Sequence, residues 1–285
     1  MEFRPSGTDA VLLARYTELF ARCFPSATHL NQGYLEWLYN KNPLGSVVGF
    51  DAWEGERLAA HYVCVPVVAL ILGRPAVVLL SLNTATDPEF QGRGIFIKLA
   101  EATYARGASM GMLAVYGVAN SNSTPGFVRK LGFTLVQPLD ARIGIGRIDA
   151  GDAGYPTSPV AFRREWTTDS LSWRISSPAR RYRLVKLGGG MVGAEARIGR
   201  PGLRAWHELP IKSAQGLLMG KPSTALHLHL GLRPGQGRQK RLTWIDVPRR
   251  FRSSPLNFIF RPLGEGIQVP EVDAVVLGQL DFDAF

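Results

Sequence analysis

Residues 63–82 form a run of 20 almost entirely apolar residues. How that run folds constrains everything around it. By length alone it could cross a bilayer, because about 20 apolar residues span the hydrocarbon core. Its composition argues otherwise. Pro66 interrupts it, and Gly73-Arg74-Pro75 sits near its centre. Proline removes a helix donor, and a Gly-Arg-Pro group supplies a turn and a charge where a membrane helix tolerates neither. The flanking pieces are rich in valine, which suits strands. The run therefore predicts a hairpin of two buried strands turning at Gly73 to Pro75, and no membrane span.

Two buried strands need apolar cover, and the rest of the first half supplies it. Thr8 or Asp9 can cap a helix over residues 10–24, with Leu12, Leu13, Tyr16, Leu19, Phe20 and Cys23 on one stripe. Residues 34–40 read as a short helix stopped by Pro43, and residues 47–53 and 58–65 as strands around Glu54-Gly55-Glu56. Beyond Thr86 comes a polar, glycine-rich break, then a helix over 95–108 with Phe96, Leu99, Ala100 and Thr103 on one face. A buried strand at 113–118, a helix at 125–131 ended by Gly132 and a strand at 133–147 follow. The order is α+β, with a strand–loop–helix–strand unit at its centre.

The chain has 285 residues, enough for about two domains at roughly 150 residues each. Residues 148–159 turn to Gly, Asp, Pro and Ser and read as a linker, dividing the chain into 1–150 and 151–285. The second part opens with residues 162–174. Strand-like runs follow at 182–187, 191–198, 203–209, 226–232, 242–247 and 257–262, and Gly188-Gly189-Gly190 joins two of them as a hairpin turn. A faint echo links Glu36-Trp37-Leu38 before Pro43 with Ser172-Trp173-Arg174 before Pro178, as a diverged second copy would.

Charge is unevenly placed. Residues 1–150 hold 13 of the 33 basic and 12 of the 23 acidic residues, so nearly all of the net +10 belongs to the second half. That half is either an ordinary solvated face or a surface for an anionic partner. Its arginines are scattered without interleaved aromatics, so nucleic acid is not favoured. Two cysteines, Cys23 and Cys64, both in apolar surroundings, exclude a disulfide framework and fit a reducing compartment. The first residues, Met1-Glu2-Phe3-Arg4-Pro5, do not read as a secretory signal, and the expected location is cytoplasmic.

The chemistry sits in residues 81–133. A strand ending at Thr86 leads through Gln91-Gly92-Arg93-Gly94 into a helix starting at Ile95. Such a loop turns successive N–H groups into a concavity, and the helix N-terminus adds partial positive charge. The pair makes an anion site suited to a pyrophosphate, although a glycine-rich turn without a ligand reads the same locally.

The stretch Thr86-Asp87-Pro88-Glu89-Phe90-Gln91-Gly92-Arg93-Gly94-Ile95-Phe96 resembles motif A of the GNAT (GCN5-related N-acetyltransferase) superfamily, with its Q/R-x-x-G-x-G/A loop. Asn120-Ser121-Asn122-Ser123 and Lys130-Leu131-Gly132-Phe133 resemble the second signature of that family, in the right order and spacing. The resemblance implies a mixed sheet flanked by helices and a second, β-rich, degenerate GNAT-like half. It implies acetyl-CoA, or another acyl-CoA, as cofactor. The amides of Gln91, Gly92, Arg93, Gly94, Ile95 and Phe96 would hold the pyrophosphate. Thr84, Ala85 and Thr86 would pair with the pantetheine, and Asn120 or Asn122, the latter preferred, would bond the cofactor arm. The implied reaction is direct attack by a small-molecule amine, such as an amino sugar. A main-chain N–H at a bulge in the fourth strand would stabilise the oxyanion.

One departure stands out. Many members carry a tyrosine acid four residues before the glycine of Leu-Gly-Phe; here that position is Val128. Tyr116 is a substitute or a core residue, and Asn83, which cannot be a base, could hold a water. Glu89 and Glu101 read as solvated. The loss of the usual acid motivates an alternative: an inactive GNAT-fold protein binding an anionic partner. A tRNA-dependent transferase would not need the Gln91-to-Gly94 loop. His227 and His229 share a strand face but lack a third metal ligand, so no metal is expected, and Asp281 and Asp283 read as surface residues. Nothing in the sequence sets the oligomeric state.

Overall fold

A computed structural model describes residues 1–148, 160–234, 243–252 and 254–282. The proposed linker therefore lies almost wholly outside the described residues. The first half runs β1 (Glu2–Pro5), α1 (Ala10–Cys23), α2 (Gln32–Asn40), β2 (Val48–Glu54), β3 (Arg57–Ile71), β4 (Arg74–Thr86), α3 (Ile95–Ser109), β5 (Ala114–Asn120), α4 (Thr124–Lys130), β6 (Thr134–Pro138) and β7 (Asp140–Ile145). The second runs β8 (Phe162–Arg164), α5 (Thr168–Ile175), β9 (Tyr182–Lys186), β10 (Met191–Arg197), β11 (Leu203–Pro210), β12 (Met219–Gly220), β13 (Leu226–Leu232), β14 (Trp244–Asp246), β15 (Leu256–Pro262) and β16 (Val275–Gly278). All 16 strands join in one mixed sheet.

The apolar run is a hairpin, β3 and β4, turning at Leu72 and Gly73. No helix among the described residues is long and apolar enough to cross a membrane. Both faces of the hairpin are covered. Val63, Val65, Val67, Val78 and Leu80 pack with α1 and α2, while Tyr62, Cys64 and Leu79 pack with α3 and α4. At about 1.5–3 kcal/mol per buried large aliphatic side chain, this double burial is the main favourable term for the first half. Asp9 caps α1, its Oδ1 accepting from Val11 and Leu12 N–H.

Several elements differ from the sequence reading. The strand expected over 133–147 breaks at Leu139, and residues 162–174 divide into β8 and α5. The break lets β6 and β7 go to different places. β7 leaves the first half and pairs with β13 and β14. In return β15, from the second half, inserts between β5 and β6. The two exchanges have the same topology, a parallel neighbour from the same half on one side and an antiparallel strand from the other half on the opposite side. Val115 stands between Leu79 and Arg261, and Leu226 stands likewise between Leu203 and Ile145. A boundary at residue 150 therefore divides the sequence but not the packing.

The echoed tryptophans meet. Trp37 and Trp173 stack with centroids 4.9 Å apart, and each indole N–H donates to the carbonyl of the other, at 3.0 and 3.1 Å. Reciprocal contacts of this kind mark a two-fold relation between the pieces. Asp281, expected at the surface, is buried. It accepts from the Trp166 indole and the Gly278 N–H, and burial pushes its carboxyl up to about 6. Asp283 lies outside the described residues.

Candidate active site

β4 and β5 run parallel but pair only at Leu79–Val115 and Leu80–Tyr116. Beyond that point they part. Opposite β3 the register jumps, with Leu82 facing Val63 and Ala85 facing His61, so Tyr62 spans both Asn83 and Thr84. The extra residue makes a β-bulge, which bends β4 and frees a backbone group from the ladder. Asn83 takes the left-handed conformation there (φ 47°), which asparagine tolerates better than most residues. Between the parted strands lies a cleft of about 600 Å³, walled by Ser81, Asn83, Thr84, Gly117, Asn120 and Phe127. Thr84, Ala85 and Thr86 keep one edge on β3 while the other faces this gap. A depression of about 620 Å³ beside Leu72 lies at the opposite end of β4, away from these groups.

The loop below the cleft is built to expose its main chain. Asp87, almost fully buried, caps the short 3₁₀ turn Pro88–Phe90 and is held by Arg22 and Arg57 at 2.9 and 3.0 Å. Burial alone would raise its carboxyl; the bonds from Arg57, the Glu89 N–H and Arg22 outweigh that and hold it below the usual value. The side chains of the loop fold back. Gln91 Nε2 donates to the Thr86 carbonyl, and Arg93 Nη2 to the Glu89 carbonyl, its guanidinium lying over Phe90. Gly92 and Gly94 have φ of 76° and 69°, and a Cβ on either would meet nothing within 4 Å. The N–H groups of Gly92, Arg93 and Gly94 have no backbone acceptor among the described residues. With the first amides of α3 they form an open cradle of donors at a helix N-terminus. These residues fit a diphosphate.

Asn120 and Asn122 reach the mouth of the cleft with different duties. Asn120 Oδ1 accepts from the N–H groups of Asn122 and Ser123, so it shapes the start of α4. Asn122 is exposed, and no side-chain bond holds it. Tyr116 does not reach the cleft. Its ring is fully buried against Phe162 and Phe258, and its hydroxyl donates to the Asp281 carbonyl at 2.7 Å. Burial also pushes its pKa up. It is a core tyrosine and offers no acid to a thiolate. Among the described residues walling the cleft, none has a titratable side chain.

Sequence reasoning missed the groups behind Asn83. Asn83 Nδ2 donates to the Tyr39 hydroxyl at 3.3 Å, and Tyr39 contacts His61 Nε2 at 2.8 Å. His61 Nδ1 lies 2.6 Å from Asp51 Oδ1, and Tyr16 donates to Asp51 Oδ2 at 2.6 Å. All of these except Asn83 are buried. The Tyr39 oxygen accepts from the Asn83 amide, and the Tyr39–His61 contact holds that hydroxyl in place. Asn83 is thereby oriented with its Oδ1 toward the cleft. The signal available was weak: single polar residues, Asp51 and His61, inside apolar strands. Their partners on α1 and α2 are not adjacent in sequence.

Fold and site together define a class, the acyl-CoA-dependent acetyltransferases, read from a splayed parallel strand pair above an open amide loop. Residues 9–136 match the model of the acetyltransferase (GNAT) domain family. None of the curated proteins matches the sequence. Similar solved structures include a conserved protein of unknown function from Enterococcus faecalis V583, described as a probable N-acyltransferase (TM-score 0.59, 13% identity). Another is a GCN5-related N-acetyltransferase from Anabaena variabilis (0.61, 9%). A third is Eis1 from Mycobacterium abscessus (0.61, 11%). Each is aligned over 92% of this chain and 73–74% of its own. At these identities the likeness is one of fold, and it spans both halves.

Proposed function

We propose that the chain is an N-acyltransferase moving an acetyl or other acyl group from CoA to the amine of a small molecule, an amino sugar being the preferred class. One observation carries this reading: the strands part at the bulge of Asn83 into a cleft that reaches Phe96, in the first turn of the helix whose preceding loop exposes its amides. Bound acyl-CoA supplies an activated thioester carbonyl. The chain's own residues do the rest. The amides of Gly92 to Phe96 would hold the diphosphate, the Gln91 N–H being already spent on the Pro88 carbonyl, and the open edge of Thr84 to Thr86 would align the arm. The exposed Asn122 is better placed than the committed Asn120 to bond that arm. The free main-chain group at the bulge would stabilise the developing oxyanion, and Asn83 Oδ1 would accept an N–H of the incoming amine. With no titratable group in the cleft wall, the amine must arrive neutral or lose its proton to water.

The second half is, on this reading, a diverged copy that lost its loop. Between β11 and β13 only a short 3₁₀ turn and β12 stand where the first half has its glycine loop and α3. The shared strand order and the Trp37–Trp173 pair support the duplication. Val128 at the usual acid position and the buried Tyr116 favour the alternative of a pure binder. Thiol release with a panel of amines separates the two. For Gly94→Val, no φ-compatible rotamer exists without strain, and the side chain enters the diphosphate cradle. Calorimetry with acetyl-CoA should show binding to the wild type and a loss of at least about tenfold in the variant. No binding to the wild type at about millimolar cofactor would remove the proposal.

A further inference from the structure

Where α5 ends against the turn between β10 and β11, five arginines line one depression of about 450 Å³: Arg180, Arg181, Arg183, Arg197 and Arg204. Lining serines add hydroxyls at Ser176, Ser177 and Ser223. Only one carboxylate shares the wall, Glu195, which is buried and accepts the Ser223 N–H with both oxygens at 3.1 Å. The lining therefore carries a formal charge of +4. Gathering like charges in a concavity costs free energy that spreading them over a surface would avoid.

Three of the five guanidiniums are also pinned. Arg180 Nη1 donates to the Arg197 carbonyl at 3.2 Å, Arg183 Nη2 to the Lys221 carbonyl at 3.3 Å, and Arg204 Nε to Ser223 Oγ at 3.1 Å. A side chain already held loses little freedom when a ligand arrives. Arginine forks approaching from several directions suit a tetrahedral acceptor with oxygens on all sides better than a flat carboxylate. None of these residues borders the acyl cleft.

We propose that this depression binds a soluble phosphate-bearing anion, with a diphosphate group best matching its charge. It is a second anion site, separate from the Gln91–Gly94 loop, and would recognise a phosphorylated metabolite as acceptor handle or effector.

The test is calorimetric titration of the full chain with inorganic pyrophosphate, with orthophosphate as a second probe. Three variants are compared with wild type: Arg181→Ala/Arg197→Ala, which removes two exposed guanidiniums; Arg204→Lys, which keeps charge but not the fork; and Gly94→Val in the acyl loop. Expected in Gly94→Val, whose acyl loop no longer offers a diphosphate site, is one saturable class of sites, tighter for pyrophosphate than for orthophosphate; in that background the double variant weakens it about tenfold and Arg204→Lys less. Thermal unfolding of each variant verifies folding; should the double variant unfold, Arg204→Lys alone decides. Binding undiminished by the arginine changes in the folded Gly94→Val background, or no saturation there by about 10 mM pyrophosphate, overturns the proposal.

Discussion

Acid should unload the second half through one histidine in particular. His229, in the middle of β13, is fully buried. Burial first, then the nearby Arg233, push its pKa down to about 3. In the unfolded chain the same imidazole titrates near about 6.5. The folded value is the lower, so the stability it contributes is complete above about pH 6.5 and is lost as pH falls toward 3. At about pH 5 the unfolded chain holds that proton and the folded one does not, which costs about 2 kcal/mol. His207 and His227, also pushed down by burial, act in the same direction. Asp281, raised to about 6, opposes them: its protonation in the fold returns about 1.4 kcal/mol at about pH 5. The net effect is therefore ambiguous in the wild type alone, and His229→Gln isolates the single group. Urea unfolding of both proteins at about pH 7.5 and about pH 5 gives four free energies. The stability lost on acidification should be smaller in the variant by about 2 kcal/mol. Equal losses in the two proteins would mean that His229 titrates normally, and the account of its burial would be wrong.

Tyr39→Phe should lower kcat with little change in acetyl-CoA affinity, because it frees the Asn83 amide without touching the loop. It should also cost about 1–3 kcal/mol of stability in urea, since His61 Nε2 is left buried without its hydroxyl. With no titratable side chain walling the cleft, kcat/KM should rise with pH toward the pKa of the amine and show no falling limb from an enzyme acid. A bell-shaped profile measured with amines of different pKa would contradict that reading.

Much of the fold was readable because its signals are local. Gly73 separates two apolar runs, with the turn at Leu72 and Gly73 one residue earlier than Gly73-Arg74-Pro75 suggested, Asp9 precedes an amphipathic stripe, and Gly92 and Gly94 stand between a strand and a helix. Each is decided within a dozen residues. The exchange of β7 and β15 was not readable, since it depends on partners 81 to 148 residues apart, and an alternating strand does not name its neighbour. For the same reason the sequence left Tyr116 open between acid and core residue, of which it is the core residue, and misplaced Asp281 at the surface. One lies on a strand whose two faces are both buried, and the other near a chain end that the rest of the fold covers. The network of Asp51, His61, Tyr39 and Asn83 joins three elements and a bulge, so only assembly brings it together.

The shared strand order explains why one half keeps a cleft and the other does not. On the proposal of a diverged copy, the parallel pair of β11 and β13 stands where β4 and β5 stand. In the first half that pair opens into the gap between the parted strands. In the second, β16 lies along β13, with Gly231 facing Gly278 and Leu232 facing Leu277. Gly278 packs so closely on the His207 ring that a Cβ there would collide with it. The strand occupies the wedge in which the first half would seat its cofactor arm. β16 also pairs with β8, and β8 with β3. The segment that closes one cleft is therefore the one that joins the two half-sheets, and the second half has exchanged a binding site for a rigid seam against the first.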